Sequence, residues 1–222
     1  YDTDIFQSVI KEISDMTGKK YGEKESWDIA MRVIADHLRA VSFSIADGQL
    51  PSNNKAGYVI RRILRRAVRY GYTNLGIEQP FLYNLVPVLS KNMGGHYPEL
   101  KTGTDHISRV IYEEEVSFLK TLGKGLKMIE KMVLDNRKTR KKIFPGKVAF
   151  ELYDTYGFPV DLTQLILREN GMTLDMEGFE NEMDGQKERS REDASIEAGD
   201  WHIIKDLDRT EFTGYDKTEW FG

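Results

Sequence analysis

Apolar positions recur at helical spacing along most of the chain. Between residues 3 and 17, Ile5, Phe6, Val9, Ile10, Ile13 and Met16 share one face, and Gly18 follows as a stop. A second helix is expected over residues 26–47, with Ser26 as its N-cap and Gly48 as its terminator. Its buried stripe is Trp27, Ala30, Val33, Ile34, Leu38, Val41 and Ile45. The loop 50–54 turns the chain into a third helix, whose apolar face is Ile60, Ile63, Leu64, Ala67 and Val68 and which ends at Gly71. Pro80 suits the first position of a helix reaching Met93, and Pro87 should kink it, because it cannot donate to the carbonyl of Tyr83.

From residue 98 to 136 a long seam runs through Ile107, Val110, Ile111, Phe118, Leu122, Leu126, Ile129 and Val133. Gly103, Gly123 and Gly125 interrupt it, so the pattern fits either one helix or two. A short helix over 148–153, a turn over 154–159 and a helix over 159–170 closed by Gly171 come next. Asp175 then caps a charged helix reaching about Ala194. Beyond it, Trp201, Phe212, Tyr215 and Trp220 sit in a stretch with little periodicity. The expected fold is all-α, mainly helical. Its amphipathic helices pack as two helical subdomains, 1–97 and 98–198, with an irregular connector over 199–222.

Composition changes this picture in one respect. At 222 residues, 40% hydrophobic and 31% charged, the chain has the balance of a soluble globular protein. Its net charge of −4, however, hides local patches: 137–142 is basic and 175–200 is acid-rich. The third helix carries Arg61, Arg62, Arg65, Arg66 and Arg69 with no acid among them. Those positions run i, i+1, i+4, i+5, i+8, one face of a helix. Guanidinium groups suit bidentate contact with phosphate. The face either meets an anionic partner or is neutralised by acids elsewhere in the fold. There are no cysteines, which excludes disulfides and fits a cytoplasmic location. No apolar run is long enough to span a membrane. The start at Tyr1 reads as the interior of a longer protein.

Catalytic candidates are weak. His37, His96, His106 and His202 are scattered, and Asp36 and His37, as sequence neighbours, should not face each other. Ser52 is a turn or cap hydroxyl. Glu113, Glu114 and Glu115 fan around their helix by about 100° per residue, as surface charges or as partners of basic residues. No catalytic residue and no metal ligand is assigned. Asn53 and Asp154 are recognition candidates, since an amide or a carboxylate can read base edges. Each could equally close its own turn.

Several blocks together resemble the alanyl-tRNA synthetase family. They are Arg32-Val-Ile-Ala-Asp-His-Leu-Arg39, Ile45-Ala-Asp-Gly48, Pro51-Ser-Asn53 and Gly57-Tyr-Val-Ile-Arg-Arg-Ile-Leu-Arg-Arg-Ala-Val-Arg69. Glu113-Glu-Glu115 with Phe118, and Leu152-Tyr-Asp-Thr-Tyr-Gly-Phe-Pro-Val-Asp-Leu162, follow in the family's order. The resemblance implies a tRNA-recognition part lying C-terminal to a class II catalytic core, inactive when separated from it. It implies ATP with Mg in that core and Zn in an editing domain of the parent enzyme, with no cofactor in this segment. The implied partners are the acceptor stem of tRNA(Ala) and the catalytic and editing domains of the same polypeptide, with no membrane or DNA. Asn53 and Asp154 match the family positions that approach a G·U wobble pair, while the arginines would hold the RNA backbone. Many relatives have an acid and then Asn-Arg-Gly after Pro-Ser-Asn; here the run is Asn54-Lys55-Ala56-Gly57, which leaves Asn53 in place. A protein-binding module whose arginine face docks an acidic surface is the rival reading.

Overall fold

The structure, a computed structural model, describes residues 1–138 and 142–196. The whole connector 199–222 and the middle of the basic run 137–142 therefore lie outside the described residues. Residues 1–182 form one compact unit, and a second begins at Met183.

Helix α1 (Asp4–Thr17) buries Val9, Ile10 and Ile13, and left-handed Gly18 closes it by donating to the carbonyl of Ser14 at 2.8 Å. Helix α2 (Glu25–Ala46) buries Ala30, Met31, Ile34, Ala35, Leu38, Val41 and Ile45. Ser26 lies inside it and not at its cap; Lys24 is the cap residue and makes no side-chain capping bond. Lys19 and Lys24 instead lie over the ring of Trp27, each within 6 Å of its centroid, which suits a cation–π contact better than a helix start.

Helix α3 (Lys55–Tyr70) packs its Ile60, Leu64, Ala67 and Val68 face on α2. Ser52 shapes its entry: the backbone N–H donates to the Gly57 carbonyl, and the hydroxyl donates to the Asn54 carbonyl at 3.0 Å. Gly71 does not end the helix. The chain continues as a π-turn over Gly71–Leu75 and stops at left-handed Gly76. A side chain at Gly71 would collide with the ring of Phe81, so this glycine serves packing.

Pro87 does not kink a helix either. A 3-10 turn over Leu82–Leu85 leads into α4 (Val86–Met93), and Pro87 sits in the first turn of α4, where no N–H is needed. The long seam divides at Gly103 into α5 (Pro98–Thr102) and α6 (Thr104–Lys138). Gly123 and Gly125 leave α6 unbroken. At Gly125 a Cβ would overlap the Phe158 ring, and at Gly123 it would meet the Tyr72 hydroxyl at 3.1 Å. The two glycines form a notch that receives aromatic side chains. Helix α6 buries Ile107, Ile111, Phe118, Leu122, Ile129 and Val133, and runs along α3, α4 and the 3-10 turn.

The described residues are mainly helical, as expected, with two short strands among them. Ile143–Phe144 (β1) pairs in parallel with Thr173–Leu174 (β2). Between them lie α7 (Gly146–Asp154) and α8 (Val160–Glu169). Asp175 then caps α9 (Met176–Ile196), accepting from the backbone N–H of Gly178 at 3.0 Å. Among the described residues no helix is long and apolar enough to cross a membrane.

Candidate nucleic-acid interface

The arginines of α3 do not form one solvent face. Arg69 is only 4% exposed and makes a bidentate pair with Glu169 of α8, at 2.5 Å and 3.1 Å. Arg65 is largely buried, with Nε and Nη2 at 2.8 Å and 2.5 Å from Oε1 of Glu114 on α6. Its Nη1 donates to the carbonyl of Gly157, and its guanidinium stacks 5.1 Å from the Phe118 ring centroid. Arg61 pairs with the same Glu114 oxygen at 3.1 Å, and Arg62 with Asp161 at 3.4 Å. Arg66 is half-buried and close enough to His37 and Asp161 to act on both electrostatically. The acids absent from the helix come from α6 and α8, and they neutralise much of its charge. Desolvation explains why: several guanidiniums under a protein surface need acceptors.

What remains exposed includes the N-terminal mouth of α3 and, separately, the end of α7. Asn53 and Asp154 are both exposed, and Arg62 keeps 40% of its side-chain surface. Arg61 donates through Nη1 to Oδ1 of Asn53. A guanidinium has no acceptor, so only the amide oxygen can face it, and the Asn53 NH2 group is turned away from Arg61. Asp154 is the last residue of α7. The turn after it is anchored twice, by Arg65 on the Gly157 carbonyl and by the Thr121 hydroxyl on the Tyr156 carbonyl at 2.7 Å. Gly157 is in the left-handed region at φ +67, and a Cβ there would strike Arg65. Phe158 follows it into the notch of α6, edge-on to Phe118 with centroids 5.6 Å apart.

The surroundings are tuned by burial. It pushes the Tyr58 hydroxyl up, helped by Tyr153 and Asp161, while Arg62 and Arg65 oppose it. Burial also raises the Asp161 carboxyl against the pull of Arg62. It lowers the Arg65 guanidinium, with Glu114 opposing. His37 does meet its neighbour: Nδ1 is 3.2 Å from Asp36 Oδ2, because the two side chains lean together along α2. Burial nonetheless lowers its pKa.

The three consecutive glutamates have three environments. Glu113 is exposed, Glu114 serves two arginines, and Glu115 is fully buried. Its carboxylate accepts from the backbone N–H groups of Phe81, Leu82 and Tyr83 at 2.9–3.1 Å, which organises the 3-10 turn. Burial pushes this carboxyl up to about 7, against those three hydrogen bonds. Of the two roles expected for this run, surface charge describes Glu113 and partnership with basic residues describes Glu114; neither describes Glu115. Among the described residues no group of three or more histidines or acids converges as a metal site.

A model of the class II (A) tRNA synthetases matches residues 1–222. The chain is 60% identical over 220 residues to an alanine–tRNA ligase of Bacteroides fragilis, covering 99% of this chain and 25% of that protein. It is 58% identical to the alanine–tRNA ligase of Porphyromonas gingivalis over 219 residues, and 50% identical to that of Flavobacterium psychrophilum over 228, each with the same coverage. The chain thus spans about a quarter of the length of the curated relatives it matches. By the family model and by these identities, the chain belongs to the class II (A) tRNA synthetases.

Proposed function

We propose that this chain is the tRNA-recognition part of an alanine–tRNA ligase, C-terminal to its catalytic core, and that it reads the G·U wobble pair in the acceptor stem of tRNA(Ala). The observation that carries this reading is the pairing of two exposed polar groups with one face of α3. Arg61 holds the Asn53 loop, and Arg65 holds the turn that follows Asp154. A wobble pair leaves the guanine 2-amino group unpaired in the wide minor groove of A-form RNA. The Asp154 carboxylate is an acceptor for that donor. The outward NH2 of Asn53 is a donor for a neighbouring acceptor.

The five arginines divide by exposure. In this reading Arg61 and Arg62 in the N-terminal half of the helix, with Arg66 behind them, contact the RNA backbone, while the less exposed Arg65 and Arg69 act mainly by holding the surface together. Within this reading, residues 199–222 lead toward an editing domain. ATP with Mg and Zn belong to those other parts of a cytoplasmic enzyme, and this segment alone is without ligase activity.

In the intact enzyme, Asn53→Ala and Asp154→Ala should each cost about 1–3 kcal/mol of discrimination between G·U and G·C stems. The measurement is the ratio of charging kcat/KM for the two RNAs. An unchanged ratio sinks the assignment of both residues. Filter binding to an acceptor-stem hairpin separates this reading from a protein-docking face: no binding at low salt favours the latter.

A further inference from the structure

We propose that Glu114 is the positioning residue of the reading site, one buried carboxylate that sets the spacing between Asn53 and Asp154. This rests on the proposed function above and deepens it. Glu114 acts on both through two arginines. Its Oε1 lies 2.8 Å and 2.5 Å from Nε and Nη2 of Arg65, and 3.1 Å from Nε of Arg61. The remaining nitrogens of those guanidiniums reach the two arms of the site. Arg61 Nη1 donates to the Asn53 side chain, and Arg65 Nη1 to the carbonyl of Gly157, three residues after Asp154.

A surface acid could balance the same charge without fixing geometry. Glu114 differs in three ways. Its side chain is 10% exposed, so its own freedom is small. It sits on α6, a rigid element to which Thr121 and the Phe158 notch also tie the same turn. And it holds together two arginines, one helical turn apart, that repel: Arg61 opposes the charge on Arg65. Without the carboxylate the guanidiniums separate, and each draws its arm with it. The Asn53 amide loses its fixed orientation, and the turn after Asp154 loses one of its anchors.

The test uses the intact enzyme and the ratio of charging kcat/KM on G·U and G·C acceptor stems. That ratio is insensitive to any inactive fraction of the preparation. Glu114→Gln should narrow it about tenfold, equivalent to about 1.4 kcal/mol. In an Asn53→Ala/Asp154→Ala background, Glu114→Gln should narrow it no further, since no reading groups remain to be misplaced. Arg61→Gln, which cuts only the Asn53 arm, should narrow it partly, and not at all in an Asn53→Ala background. It decides the matter should Glu114→Gln fail to fold. The proposal is overturned if Asn53→Ala or Asp154→Ala narrows the ratio while Glu114→Gln leaves it unchanged. It is equally overturned if Glu114→Gln or Arg61→Gln acts as strongly in the alanine backgrounds. If neither alanine variant moves the ratio, it is the reading of the site that fails.

Discussion

The two ends of α3 carry the same residue type at helical spacing and come to opposite fates. At the C-terminal end, Arg69 is sealed beneath α8, and Gly71 lets Phe81 close over the turn that follows. Phe81 is held in turn by Glu115. At the N-terminal end, Arg61 and Arg62 stay partly exposed beside Asn53. The difference lies in what covers each end. Arginine on a helix is a structural ion where another element overlies it, and where it stays partly exposed it can take the recognition role proposed above.

The largest expected effect sharpens the sealed end. Arg69→Met should cost about 2–3 kcal/mol of stability in chemical denaturation, because it removes the buried partner of a bidentate, charge-assisted pair. The cost stays below that of a fully buried pair because Glu169 keeps 41% of its side-chain surface and is solvated when Arg69 is gone. It should leave G·U discrimination intact, and a loss of discrimination would break the contrast between the ends.

Glu115 comes next. Its carboxyl rises from an ordinary 4.5 to about 7, so in that window the folded state holds a proton that the unfolded chain releases. Stability is therefore full below about pH 4.5 and falls as pH rises through 7. The drop should be about 2 kcal/mol, read as Tm at pH 5 against pH 8. Glu115→Gln should flatten that slope.

A third substitution sits at the open end. Gly157→Ala should cost about 1–2 kcal/mol, from left-handed strain and displacement of Arg65. It should also narrow the G·U/G·C ratio. Smallest in stability is Arg62→Ala, within about 0.5 kcal/mol because its pair with Asp161 is half-exposed. Its signature should instead be uniformly weaker RNA binding and a salt dependence flatter by about one unit of slope.

Much of the helical framework was legible because its signals are local. The stripes of α1, α2 and α6 repeat within a few turns, and Gly18 and Asp175 punctuate as their chemistry requires. The pattern puts Pro87 inside a helix that starts at Pro80, where it would kink, but it lies in the first turn of α4, because a proline fits a first turn as well as it bends an interior. The two strands escaped because two residues each are too short for any period. At the site the arginine spacing was visible, but its neutralisation was not. Glu114, Asp161 and Glu169 lie 49 to 100 residues from their partners, beyond what a local pattern encodes. Glu115 was hidden for a related reason: its partners are backbone N–H groups, which have no sequence signature.

The notch in α6 has a consequence for how the protein tolerates change. Gly125 lies in the middle of a 35-residue helix, where an alanine would ordinarily raise helix propensity. Here the added methyl would push Phe158 outward, and with it the turn that begins at Asp154. On the reading proposed above, an engineer stabilising the helix by its local rules would be altering RNA selectivity from a buried position.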